Sequence, residues 1–167
     1  MAITIEGLDG VLEAIQNIGN VEQLENALTK SCMIVERAAK QKAVKVFGEL
    51  RRSITSEVKD SGNTIEGIVY TPLEYAPYVE YGTGLFAENG NGRKEVPWVY
   101  VEGSTQTSSN KKTYTDAEAD QTVAYLRSKG LEAYKTSGQQ PQPFMRPALN
   151  ESREQILNIL KESLDNE

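Results

Sequence analysis

Apolar and polar residues alternate at the very start of the chain. Ile3 and Ile5 flank Thr4, and Gly7 follows, which predicts a short strand or extended arm. Leu8, Leu12, Ile15 and Ile18 then recur at spacings of four and three, one face of a short amphipathic helix that Gly19-Asn20 ends. A longer helical pattern begins near Val21. Leu24, Leu28, Val35, Ala39, Val46 and Leu50 fall close to one stripe, widened by Ile34 and Ala38 and interrupted by Ser31, Lys42 and Ser53. Asn20 suits the N-cap. Unbroken to residue 51, this helix would be roughly 45 Å long, and Gly48 is the place for it to end or kink.

Residues 63–71 read as a strand, with Ile65 and Val69 on one face, Ile68 and Tyr70 on the other, and Pro72 closing it. Residues 75–81, Tyr-Ala-Pro-Tyr-Val-Glu-Tyr, predict one or two helical turns that point Tyr75 and Tyr78 the same way. A loop follows at 85–95, then a strand at 96–102 that carries Trp98 and Tyr100. The polar run 103–112 is a loop or a hairpin tip, with Tyr114 as the candidate returning strand. Thr115 or Asp116 caps a helix over 117–129, which Gly130 stops. Residues 139–143, Gln-Gln-Pro-Gln-Pro, are extended because a pre-proline residue avoids helix. Pro147 starts the last helix, striped by Leu149, Ile156, Leu160 and Leu164. The fold class is α+β: a small antiparallel sheet packed against a long N-terminal helix and a C-terminal helix, with an inserted hairpin and minor helix. Residues 1–167 form a single domain on this reading, elaborated at about 84–143.

Composition narrows the function. Hydrophobic residues make up 38% of the chain, a lean core that favours exposed segments or burial completed by neighbouring subunits. The net charge of −6 argues against a dedicated nucleic-acid binder, because phosphate neutralisation needs clustered Lys and Arg. Such a cluster exists only between 30 and 52, where Lys30, Arg37, Lys40, Lys42, Lys45, Arg51 and Arg52 meet just Glu36 and Glu49. It is either a solvated helix face or a surface that pairs with an acidic neighbour. No apolar run reaches the ~18 residues of a membrane span, and the N-terminus lacks a signal-peptide pattern. Synthesis and residence in the host cytoplasm until assembly are expected, with no membrane partner.

The chain contains no histidine and one cysteine, Cys32. Ser-His-Asp and Cys-His catalysis and ordinary zinc sites are therefore ruled out, and no Gly-rich phosphate cradle occurs. No catalytic residue, metal or cofactor is expected. Glu74 with Glu80, or Glu118 with Asp120, are carboxylate pairs of a kind an acid-base mechanism uses, but solvated surface charge is the commoner meaning. Glu80 stands apart because it lies inside the aromatic segment. The tyrosines beside Arg93 and Lys94 suit a protein interface or the core better than base stacking in so acidic a chain.

Three motifs occur in order: Leu50-Arg-Arg-Ser-Ile54, Tyr75-Ala-Pro-Tyr-Val-Glu-Tyr-Gly-Thr83 and Pro143-Phe-Met-Arg-Pro-Ala-Leu149. Together they resemble the tail-component family of long-tailed bacteriophages, the neck or tail-completion proteins. In that family a long helix ends in Leu-Arg-x-Ser-Ile, a strand leads to Tyr-Ala-x-Tyr-Val-Glu-x-Gly-Thr, and Pro-Phe-Leu-x-Pro-Ala-Leu opens the last helix. Met145 departs from the usual Leu. The resemblance implies a virion structural protein, not an enzyme, at the head-tail junction. It would complete the tail end or join it to the head connector. The implied partners are further copies in a ring (six would match tail symmetry), tail-terminator, tail-tube or head-connector proteins, and DNA that passes without specific binding. A tail-terminator subunit, or a small phage-encoded enzyme or regulator sharing the fold, is the alternative. The residues expected to meet neighbouring subunits are Tyr75, Tyr78, Glu80, Tyr81, Trp98 and Phe144.

Overall fold

The computed structural model describes residues 2–4, 21–44, 48–61, 64–88, 90, 92–103 and 113–165. The helix expected over Leu8 to Ile18, its Gly19-Asn20 end and the 104–112 tip lie outside them. The chain forms two compact units, Met1–Glu80 with Gln142–Glu167, and Tyr81–Pro141.

In the first unit, β1 (Ala2–Thr4), β2 (Thr55–Asp60) and β3 (Ile65–Tyr70) make an antiparallel sheet in the order β1-β3-β2. Ala2 and Thr55 both pair with Tyr70, from opposite sides. The sequence pattern reveals β3 but not β2. Thr-Ser-Glu-Val-Lys-Asp offers one apolar side chain, Val58, and owes its strand form to pairing with β3 along an edge where polar side chains meet water. α1 (Val21–Lys42) packs on β2 and β3, and α5 (Met145–Asp165) lies along α1. Leu28, Cys32, Val35 and Ala39 of α1 join Val69, Met145, Ala148, Ile156 and Leu160 in one core. Ser31 is fully buried on the same stripe, and its hydroxyl donates to the Ala27 carbonyl at 2.8 Å. That local bond lets a polar residue sit on an apolar face without an unmet donor.

The long helix is shorter than its apolar stripe implies. α1 ends at Lys42, giving about 33 Å rather than 45 Å. A separate turn, α2 (Glu49–Ser53), restarts after Gly48, whose φ of 67° no right-handed helix tolerates. Leu50 and Ile54 are buried, and Ser53 bridges Leu50 and Thr71 through hydrogen bonds of 2.8 and 2.7 Å. The Leu-Arg-Arg-Ser-Ile motif thus ties α2 to the end of β3.

In the second unit, β4 (Trp98–Val101) is antiparallel to β5 (Ala133–Thr136), and α4 (Asp116–Ser128) packs on the pair. Tyr114 is not the returning strand. β5 takes that place after α4, a four-residue segment too short and too polar to declare itself by alternation. Thr115 caps α4 in a capping box with Glu118, and Lys135 reaches Asp116 and Asp120 at 3.1 and 2.6 Å. These contacts account for Glu118 and Asp120 as structural groups.

At Gly67 the sheet lies close against α1. A Cβ there would lie 2.5 Å from the Cys32 sulfur. Burial raises the Cys32 thiol pKa, and the Glu36 carboxylate adds to the effect, so the group packs as a neutral small side chain. Gly67→Ala is therefore expected to lower unfolding stability by about 1–3 kcal/mol. Adding Cys32→Ala should cost less than the two single changes summed, a coupling that urea unfolding of the four proteins measures.

Candidate functional site

α3 (Ala76–Tyr81) carries the aromatic motif, and its two faces differ sharply. Ala76 and Glu80, one turn apart, are fully buried, while Tyr75 and Tyr78 are 39% and 60% exposed. Tyr75 donates to the Glu49 carboxylate at 3.4 Å. Burial raises its phenol pKa, and Glu49 raises it further, so the group stays a neutral donor.

A buried carboxylate needs compensation, and Glu80 receives it from the start of α5. The backbone N–H groups of Phe144, Met145 and Arg146 donate to its two oxygens at 2.7, 2.9 and 3.0 Å. The next residue, Pro147, has no N–H to satisfy. Every backbone donor that the first turn of α5 leaves without an intrahelical acceptor is thereby accounted for. The Arg146 side chain adds a 3.0 Å ion pair to the same carboxylate and a 3.2 Å bond to the Glu80 carbonyl. The Gln142 N–H donates to the Val79 carbonyl at 2.8 Å. Two helix ends thus cap each other: Glu80 closes the N-terminus of α5, and Gln142 and Arg146 close carbonyls at the C-terminus of α3. The negative charge also faces the positive end of the α5 dipole.

Burial by itself would raise the Glu80 pKa. The three backbone donors and Arg146 together outweigh it and bring the value below the ordinary 4.5. At neutral pH the group is an ionised cap.

α5 begins at Met145, two residues ahead of the expected Pro147, because its cap is a side chain 64 positions upstream in sequence. Its buried face follows Met145, Ala148, Ser152, Ile156 and Leu160, and Leu149 is half-buried beside it.

The residues expected at a subunit contact separate into distinct places. Tyr75 and Tyr78 are surface groups. Tyr81 and Trp98 are half-buried, and Trp98 belongs to the second unit. Glu80 and Phe144 are 0% exposed and enclosed by their own chain, so neither has side-chain surface to offer a neighbour. Their work is to join α3 to α5. Sequence reasoning missed Arg146 as the counterpart of Glu80. The usable signal was a carboxylate within an apolar helical segment, which demands a cation or several donors elsewhere.

Among the described residues, no group of three or more Cys, Asp or Glu is placed to hold a metal ion, and no helix is long and apolar enough to cross a membrane. A groove of about 330 Å³ between α1 and α5 has only Lys30 and Glu162 as charged lining groups, with Gln23, Asn26 and Ser163.

One family model matches the chain, over residues 9–82, which take in α1, α2, β2, β3 and α3. This segment matches the model of the HK97-gp10-like family. Its description is bacteriophage HK97-gp10, putative tail-component. The match takes in the Leu-Arg-Arg-Ser-Ile and Tyr-Ala-Pro-Tyr-Val-Glu-Tyr-Gly motifs and ends at Gly82, which has a φ of 75° just past α3. No curated protein and no solved structure matches the chain. At the level of that description, the match supports a structural role in a phage tail.

Glu80→Gln keeps the shape but exchanges one acceptor oxygen for a donor that faces backbone N–H groups. It is expected to lower stability by about 2–4 kcal/mol at neutral pH. The folded pKa of Glu80 lies below 4.5, so its contribution is complete above that value and disappears as pH falls through the folded value. Urea midpoints measured from pH 7 down to pH 3 should fall less steeply for Glu80→Gln than for the parent.

Proposed function

We propose that the protein completes the tail end of a long-tailed phage, or joins it to the head connector, as one subunit of a ring. The observation that carries this reading is the family match over residues 9–82. The third motif supports it. Phe144, Met145 and Arg146 lie outside the matched segment, yet they supply the three N–H groups that hold Glu80 inside it. All three motifs are thus accounted for as one frame.

The frame has surfaces suited to assembly. Tyr75 and Tyr78 stand outward from a helix that both ends hold in place, and rigid exposed tyrosines bind partners at low entropic cost. Part of the basic segment is neutralised internally, because Lys40 pairs with Glu36 and Lys42 with Glu151, each at 2.6 Å. Arg37 and Arg51 are exposed on the surface, suited to the acidic remainder of a neighbouring copy. An acidic channel wall would let DNA pass without adhering.

Light scattering of the purified protein, alone and mixed with tail tubes, tail-terminator or head-connector protein, tests the proposal. The expected result is a ring, or a monomer that joins a ring-shaped complex. A stable monomer that ignores every tail and connector component would refute it, as would a ring whose channel wall is strongly basic.

A further inference from the structure

One face of the β4-β5 pair packs on α4, through Ala133 and through Lys135 to Asp116 and Asp120. Side chains alternate along a strand, so the opposite face carries Trp98 opposite Thr136, then Tyr100 opposite Tyr134. The Glu102 N–H donates to the Glu132 carbonyl at 2.8 Å, which extends the ladder and sets those two carboxylates opposite each other on that same face. The face is open: Tyr100 is 47% and Tyr134 37% exposed, with ring centroids 5.5 Å apart.

The two ends of this face differ in charge. At one end the Arg93 guanidinium lies 5.2 Å from the Trp98 ring, and the local sequence Arg93-Lys94-Glu95 is net positive. At the other end Glu102 and then Glu132 push the Tyr134 phenol above its ordinary pKa. The Arg127 guanidinium lies 5.4 Å from the Tyr134 ring. Like charges opposite each other in a ladder destabilise it unless a cation is supplied. Aromatic groups in the middle and opposite charges at the two ends make the face complementary to itself after a half turn. That is the requirement of a two-fold contact, in which each group meets its opposite number on the other copy.

We propose that this face is a two-fold contact between two copies of the chain, with Arg93 of each copy against Glu102 and Glu132 of the other and the tyrosine pairs meeting at the axis. It rests on the second unit alone and not on the tail role. The face runs about 14 Å along the strands and covers less than the ~800 Å² per partner of a standard interface. The contact is therefore weak between free molecules.

Sheets stacked face to face lie about 10 Å apart, too far for a disulfide but within reach of a short bis-maleimide. Tyr100→Cys in the full chain should give a cross-linked dimer, whereas Tyr125→Cys, at a 62% exposed site on α4, should not. The native Cys32 is buried and adds no background. Arg93→Glu in the Tyr100→Cys protein should reduce the dimer yield about tenfold, as should Glu102→Arg with Glu132→Arg. The three charge reversals combined should restore it. Equal cross-linking at Tyr100→Cys and Tyr125→Cys, or yields that ignore the charge reversals, would overturn the proposal. So would a face that instead retains a single-stranded oligonucleotide, with binding lost in Tyr100→Ala.

Discussion

The Glu80 carboxylate is the interaction on which the first unit turns. A charge with no exposure to water is tolerable only if its acceptor sites are filled, and a helix start is costly to bury unless its N–H groups are met. Each solves the other's problem. Three backbone donors and one guanidinium converge on Glu80, and Pro147 removes the fourth donor that would have needed a partner. The result fixes where α5 begins. That start in turn sets which of its side chains reach the core beside α1.

The same interaction closes the frame where the chain leaves it and returns. The chain exits after Glu80 and re-enters at Gln142, whose N–H is bound by Val79. The first unit is therefore pinned at this crossing by its own residues. An intervening segment held outside such a closure is free to change in length and surface without disturbing the core. The open aromatic face of β4 and β5 lies in that intervening segment.

Much of this was legible in the residues, and the failures have physical reasons. β3 and α4 follow their apolar patterns and caps closely because burial on one face dictates them. β2 and β5 escaped because short paired strands with polar side chains take their form from the neighbouring strand. The end of α1 escaped because the apolar stripe in the sequence continues past Lys42 towards α2, and periodicity does not register where a helix stops. Glu80 was conspicuous as a carboxylate among aromatics. Its meaning depended on a donor set 64 to 66 residues away, which no local pattern encodes. Helical spacing predicted that Tyr75 and Tyr78 point the same way, and both are exposed.

The most direct test of the Glu80 cap is amide hydrogen exchange at Phe144, Met145 and Arg146, followed residue by residue in the native protein. These N–H groups precede the first intrahelical bonds of α5, and in an ordinary helix start they exchange quickly. Here they should be as protected as the core amides of α1, and protection should vanish together at all three in Glu80→Gln. Fast exchange at these positions in the parent protein, with slow exchange only from Ala148 onward, would contradict the account.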